Sequence, residues 1–147
     1  DSSAPALEGA RRNADLNGVG DRVTVEQGDA FAVLERLRAR NERFDLIVLD
    51  PPAFIKRKKD SKQVEQAYRR LNRDALELLG EGGVLVSASC SFHMSRDSLL
   101  RAIVWAAGKT GREIQLLEEG HQAADHPIHP AIPETSYLKV FFVRVLR

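Results

Sequence analysis

The chain has 147 residues, 43% of them hydrophobic and 29% charged, with a formal net charge of +1. That length suffices for one domain with a true core, and the near-even balance excludes a globally polycationic or polyanionic protein. Cys90 is the one cysteine, which excludes an internal disulfide and suits a reducing compartment.

Residues 1–20, DSSAPALEGARRNADLNGVG, read as a helix entered from a strand tip. Ser2 or Ser3 can cap it, Pro5 suits its first turn, and Leu7, Ala10 and Ala14 share a face. Asn17-Gly18 supplies a stop. VTVEQGDA follows as a short strand with Asp29 just past its end, and FAVLERLRAR as a helix with Val33, Leu34 and Leu37 inward. FDLIVLD, residues 44–50, is apolar on both faces, as a strand in a covered parallel sheet is expected to be. Its carboxylate tip, Asp50, runs into Pro51 and Pro52. A polar loop, IKRKKDSK, then precedes a long helix carrying Val64, Ala67, Leu71, Ala75 and Leu78.

GEGG is read as a turn into a second continuous strand, VLVSASCS, which ends near Cys90. A helix with Leu99, Leu100, Ile103, Val104 and Ala107 inward leads to REIQLLEE. A His- and Pro-rich loop spans about residues 120–135, and YLKVFFVRVLR closes as a strand. Strands alternating with helices predict one α/β domain with a mainly parallel sheet and no internal repeat. In such sheets ligands sit beyond the carboxyl ends of the strands, where Asp29, Asp50 and Cys90 all fall. No apolar run is long enough to span a bilayer and the start is not signal-like, so the expected location is cytoplasmic.

Charge is concentrated locally. Between Lys56 and Arg73 there are eight basic residues against two acids, Asp60 and Glu65. IKRKKDSK suits phosphate contacts beside a base site, and equally suits a solvated loop. His121, His126 and His129 have no cysteine partner and share their loop with prolines, so no metal site is expected there.

DAF after a strand, FDLIVLDPPAF and GGVLVSASCS resemble successive motifs of class I methyltransferases that use S-adenosylmethionine. The likeness is nearest to the bacterial large-subunit (23S) rRNA cytosine-C5 methyltransferases, and QAADHPIHPAIPETSYLKVFF resembles their carboxyl-terminal segment. It implies a Rossmann-like methyltransferase fold with an antiparallel last strand, residues 1–147 being the later part of that domain. Nothing matches the family's glycine-rich cofactor loop, and Ala53 stands where the family commonly has lysine. The family's central first strand is therefore expected to be missing, with residues 23–28 moving beside residues 44–50. This piece alone is expected to bind cofactor weakly or not at all and to be inactive, with an exposed sheet edge that favours homo-oligomers.

The resemblance also implies roles. Cys90 is the candidate nucleophile for carbon 6 of cytosine, which would make carbon 5 carbanion-like; the plain alternative is a small buried hydrophobe. Asp50 is the candidate partner of cytosine N3 and the exocyclic amine, and is assigned to the cofactor site as well. Pro51 and Pro52 offer apolar surface to a flipped base, Phe54 can stack on it, and Lys56 and Arg57 reach phosphates. Asp-Pro-Pro would equally make a rigid turn. Asp1 is matched to the ribose hydroxyls, and Asp29, with Ala30 beside it, to the adenine amine; Asp29 can also cap a helix. The expected partner is ribosomal RNA. The competing readings are a base-nitrogen nucleic-acid methyltransferase and a fragment with only a structural or RNA-contact role.

Overall fold

In the computed structural model, which describes residues 1–52 and 61–147, the chain divides after Glu42 into two units. The first contains helices α1 (Ala4–Leu16) and α2 (Ala30–Ala39). Ser3 caps α1, its Oγ accepting from the Ala6 N–H at 3.4 Å, with proline in the first turn and Asn17 as the C-cap, as the sequence implies. Asp29 caps α2, its Oδ1 accepting from the Phe31 N–H at 2.9 Å.

Residues 23–28 do not form the expected strand, and the four-stranded sheet does not include them. They run alongside Asp1 instead: the Asp1 N donates to the Glu26 carbonyl at 3.1 Å, and the Gly28 N–H donates to the Asp1 carbonyl at 3.0 Å. These are the bonds of one parallel rung. A strand needs a ladder of such rungs, and these two bonds make one, so VTVEQG is not a strand here. Its Glu26 is held by Arg40, the C-cap of α2, at 2.5 Å and by Arg36 of α2 at 3.3 Å, and those guanidinium bonds lower its pKa.

The second unit is a four-stranded sheet with two helices. Its elements are β1 (Phe44–Leu49), α3 (Ser61–Leu78), β2 (Leu79–Ser89), α4 (Arg96–Thr110), β3 (Ile114–Gly120) and β4 (Lys139–Val145). The strand order is β1-β2-β4-β3, with β1 and β2 parallel and β4 antiparallel to both β2 and β3. Three strands thus point one way and the last opposes them, as expected; being inserted between β2 and β3, it makes two of the three pairings antiparallel.

GEGG is not a turn ahead of β2. Phe44 pairs with Leu79 and Leu46 already with Val84, so residues 80–83 bulge out of a strand that has begun. Glycine permits this: Gly82 sits at φ +77°, and a Cβ on Gly83 would meet the Gly80 carbonyl at 2.9 Å. Gly111, at φ +65°, similarly ends α4 in a left-handed cap.

Side-chain alternation explains which residues form the core. Leu85, Phe141, Val143 and Val145 point to one face of the sheet and pack against Val64, Tyr68, Ala75 and Leu76 of α3 and Leu99, Ile103 and Ala106 of α4. The guanidinium of Arg69 in α3 lies 5.6 Å from the ring centroid of Trp105 in α4. Ile47 and Leu49 of β1 join this face, whereas Leu46 and Val48 turn the other way and are 56% and 59% exposed. The expectation that FDLIVLD is covered on both faces therefore holds for one face only, because α3 and α4 both pack on the Ile47 side. Val104 is likewise exposed on α4, while Leu99, Ile103 and Ala107 are buried as expected.

Ile103 is fully buried in this cluster. Ile103→Ala should lower unfolding free energy by about 3 kcal/mol through lost burial plus the cavity left behind. Urea denaturation followed by circular dichroism checks this, and an unchanged midpoint would contradict the packing described. No described helix is long and apolar enough to cross a membrane.

Candidate active site

The parallel pairing of β1 with β2 decides the geometry. Leu49 lies opposite Ser87, so Asp50 leaves β1 just as β2 runs on through Ala88 and Ser89 to Cys90. Strand spacing and rise place the two α-carbons roughly 8 Å apart across one sheet rim. Asp50 is exposed and Pro52 beside it likewise, with Pro51 half-buried. Cys90 is half-buried, not enclosed in hydrocarbon.

Polar groups surround the strand end that carries Cys90. The Tyr68 hydroxyl of α3 donates to Ser89 Oγ at 2.9 Å, and the Ser91 N–H donates to the same oxygen at 3.3 Å. Asn72, one turn further along α3, donates to the Tyr68 carbonyl at 2.8 Å. Burial pushes the Tyr68 phenol above its ordinary pKa; the bond to Ser89 opposes this, and negative charge at Cys90 and at Asp50 adds to the rise. A single phenol therefore feels both rim residues.

From the other side comes Lys139, the first residue of β4, paired with Ser89. Its Nζ donates to the Ser91 carbonyl at 2.6 Å and to the Tyr137 carbonyl at 2.7 Å. Burial lowers its pKa, and the charge on Cys90 works the opposite way.

Neither Tyr68 nor Lys139 stood out in the sequence. Tyr68 lies on the Val64–Ala75 stripe of α3, where an aromatic reads as core; its hydroxyl end is what matters. Lys139 sits at the start of an apolar strand, where a cation reads as an edge residue. Only the β2–β4 register puts it against the segment carrying Cys90.

The first unit holds Asp1, Asp29 and Ala30, all exposed. The rung between Asp1 and residues 26–28 brings the two acids to neighbouring chain segments. Each engages one carboxylate oxygen locally, Asp1 Oδ1 with the Ser3 N–H at 2.7 Å and Asp29 Oδ1 with the Phe31 N–H. The second oxygen of each has no partner among the described residues, which suits a ligand presenting hydroxyl and amine donors. Phe54, Lys56 and Arg57 lie outside the described residues. In the carboxyl-terminal loop, the His129 N–H donates to Thr135 Oγ1 at 2.8 Å while its Nδ1 accepts from the Ala131 N–H at 3.2 Å. That histidine shapes its own loop, and no group of metal-ligating side chains occurs among the described residues.

Residues 1–109 match the family model described as RMKL-like, methyltransferase domain. Ribosomal RNA large subunit methyltransferase I of Erwinia tasmaniensis is 40% identical over 147 residues, covering 99% of this chain and 37% of that protein. The protein of the same name from Escherichia coli is 41% identical with the same coverage. The chain thus spans well under half the length of these curated relatives. Among solved structures, a methyltransferase homolog protein from Pyrococcus horikoshii superposes with a TM-score of 0.66 at 24% identity, covering 98% of this chain and 51% of that one. That likeness is one of fold, and the order β1-β2-β4-β3 with its reversed last strand is the part of the fold this chain supplies. With the match running through both rim residues, the chain belongs to the RMKL-like methyltransferase domain family.

Proposed function

We propose that the protein carrying this chain methylates carbon 5 of a cytosine in large-subunit ribosomal RNA, with Cys90 as nucleophile and S-adenosylmethionine as methyl donor. The observation that supports this reading is that β1 and β2, adjacent and parallel, lead into Asp50 and Cys90 at the same end of the sheet, and that both residues act on the Tyr68 phenol. The names of the relatives support an RNA substrate.

When bound, S-adenosylmethionine supplies an electrophilic methyl carbon whose bonding pair departs with its sulfur. Asp1 and Asp29 would hold the ribose hydroxyls and the adenine amine through their second oxygens, with Ala30 leaving room beside them. The chemistry of that donor set fits, since carboxylate oxygens accept and those ligand groups donate.

Cys90 gives its thiol proton to solvent, and its sulfur bonds carbon 6. The carbon 5–carbon 6 π pair becomes available at carbon 5, with excess charge passing through the ring to N3. Asp50 meets that charge: it takes up a proton from solvent as the base binds, the protonated oxygen donates to N3, and the other accepts from the exocyclic amine. Once carbon 5 carries the methyl group, its hydrogen leaves as a proton to solvent. That pair restores the double bond, and the carbon–sulfur bond breaks to return the thiolate. Pro51 and Pro52 hold the backbone after Asp50 extended and present ring surface to the base.

A base-nitrogen methyltransferase would need the Asp50 tip but no sulfur nucleophile. Mass spectrometry of nucleosides from ribosomal RNA modified by the whole protein separates the two. 5-Methylcytidine is the expected product, and a methylated purine with no 5-methylcytidine would overturn the assignment.

A further inference from the structure

Cys90 is flanked by residues that are both tied to one cation. On its amino side Ser89 pairs with Lys139 across the β2–β4 ladder, and on its carboxyl side the Ser91 carbonyl accepts from Lys139 Nζ at 2.6 Å. The second Nζ bond, to the Tyr137 carbonyl at 2.7 Å, keeps the long side chain folded back over the end of its own strand. An ammonium has three N–H donors. Two are engaged by these carbonyls, and the third has no acceptor among the described residues. The group is half-buried, where a charge acts on its neighbours more strongly than it would in open water.

We propose that Lys139 is the positioning residue for the Cys90 nucleophile: it fixes the segment after β2 through the Ser91 carbonyl and offers its remaining N–H to the sulfur when that sulfur is anionic. The proposal rests on the reading of Cys90 as nucleophile. Tyr68 from α3 and Lys139 from β4 both feel the charge on Cys90, and the second is the cation. Asp50, from the end of β1, puts negative charge at the same rim and would oppose a build-up of anion on the sulfur. A cation on the opposite side offsets it. The thiolate exists twice in the cycle, before it adds to carbon 6 and after it is expelled, and an ammonium held in place serves both moments without rearranging.

The test separates charge from shape. Lys139→Gln keeps N–H donors for the two carbonyls and removes the positive charge; Lys139→Arg keeps both. In the protein carrying this chain, alkylation is followed by mass spectrometry on the peptide containing Cys90. Anionic iodoacetate and neutral iodoacetamide are used in parallel. A cation beside the sulfur attracts the first reagent and not the second, so the ratio of the two rates should fall about fivefold in Lys139→Gln and be retained in Lys139→Arg. Formation of 5-methylcytidine at saturating RNA should fall at least about tenfold in the Gln variant and recover in the Arg variant.

Circular dichroism identifies any variant that fails to fold, in which case the Arg variant alone decides through retention of the ratio. An unchanged ratio in folded Lys139→Gln overturns the proposal, as does a lowered ratio with full methylation. Full methylation by Cys90→Ser would instead remove the nucleophile reading, whatever the ratio does.

Discussion

Replacing Cys90 by serine in the whole protein should reduce 5-methylcytidine formation by about a thousandfold or more. Serine nearly matches the side chain in size, so the half-buried site and its Ser89 and Ser91 neighbours are undisturbed. What is lost is a sulfur that ionises readily and attacks a polarised ring carbon; a hydroxyl without a strong adjacent base does neither. The covalent step offers a second measurement. On RNA carrying 5-fluorocytidine, addition to carbon 6 and methyl transfer proceed, but release requires a proton to leave carbon 5. Fluorine cannot leave as a cation, so the adduct should persist on wild-type protein and be absent from Cys90→Ser. Undiminished methylation by the serine variant would end the proposed mechanism; a trapped adduct on another residue would move it.

Much of the fold was legible because its signals are local. Ser3 and Asp29 cap the helices the sequence assigned to them, and Val64, Leu71, Ala75 and Leu78 of α3 and Leu99, Ile103 and Ala107 of α4 are buried as their spacing implies. The misreadings share a different origin, since each depended on a partner that a linear pattern does not contain. VTVEQG has the alternation of a strand, yet a strand is completed by a neighbour, and Asp1 offers one rung. GEGG looks like a turn, but β2 has already begun pairing with Phe44 when the glycines let it bulge. Leu46 and Val48 are apolar without being covered.

The candidate site divides along the same line. Asp50 and Cys90 were named as candidates from their places at strand ends, and the register of β1 with β2 puts those two ends at one rim. Tyr68 and Lys139 were not found, because their relation to Cys90 exists only through the packing of α3 on the sheet and the antiparallel pairing of β4. A sequence pattern shows which residues end strands; it does not show which side chain from a distant element reaches them.

Asp50→Asn tests the other half of the proposed chemistry and should lower kcat by about a hundredfold with little change in KM. Asparagine preserves the pattern of contacts to cytosine, since its amide N–H can donate to N3 and its oxygen can accept from the exocyclic amine. It cannot hand over a proton as charge grows on N3. The loss therefore belongs to the transition state and not to substrate binding, whereas Asp50→Leu, which removes both contacts, should also raise KM. An opposing effect must be weighed. Asp50 and Cys90 both bear on Tyr68, so the aspartate places negative charge near the sulfur. Removing that charge should make Cys90 modestly more reactive toward iodoacetate, by about two- to threefold. The two effects have opposite signs, and the loss of proton donation is the larger by more than an order of magnitude. Asp50→Asn is therefore expected to alkylate faster while methylating far more slowly. Methylation that rose along with alkylation would show that Asp50 restrains the thiol and takes no part in binding the base.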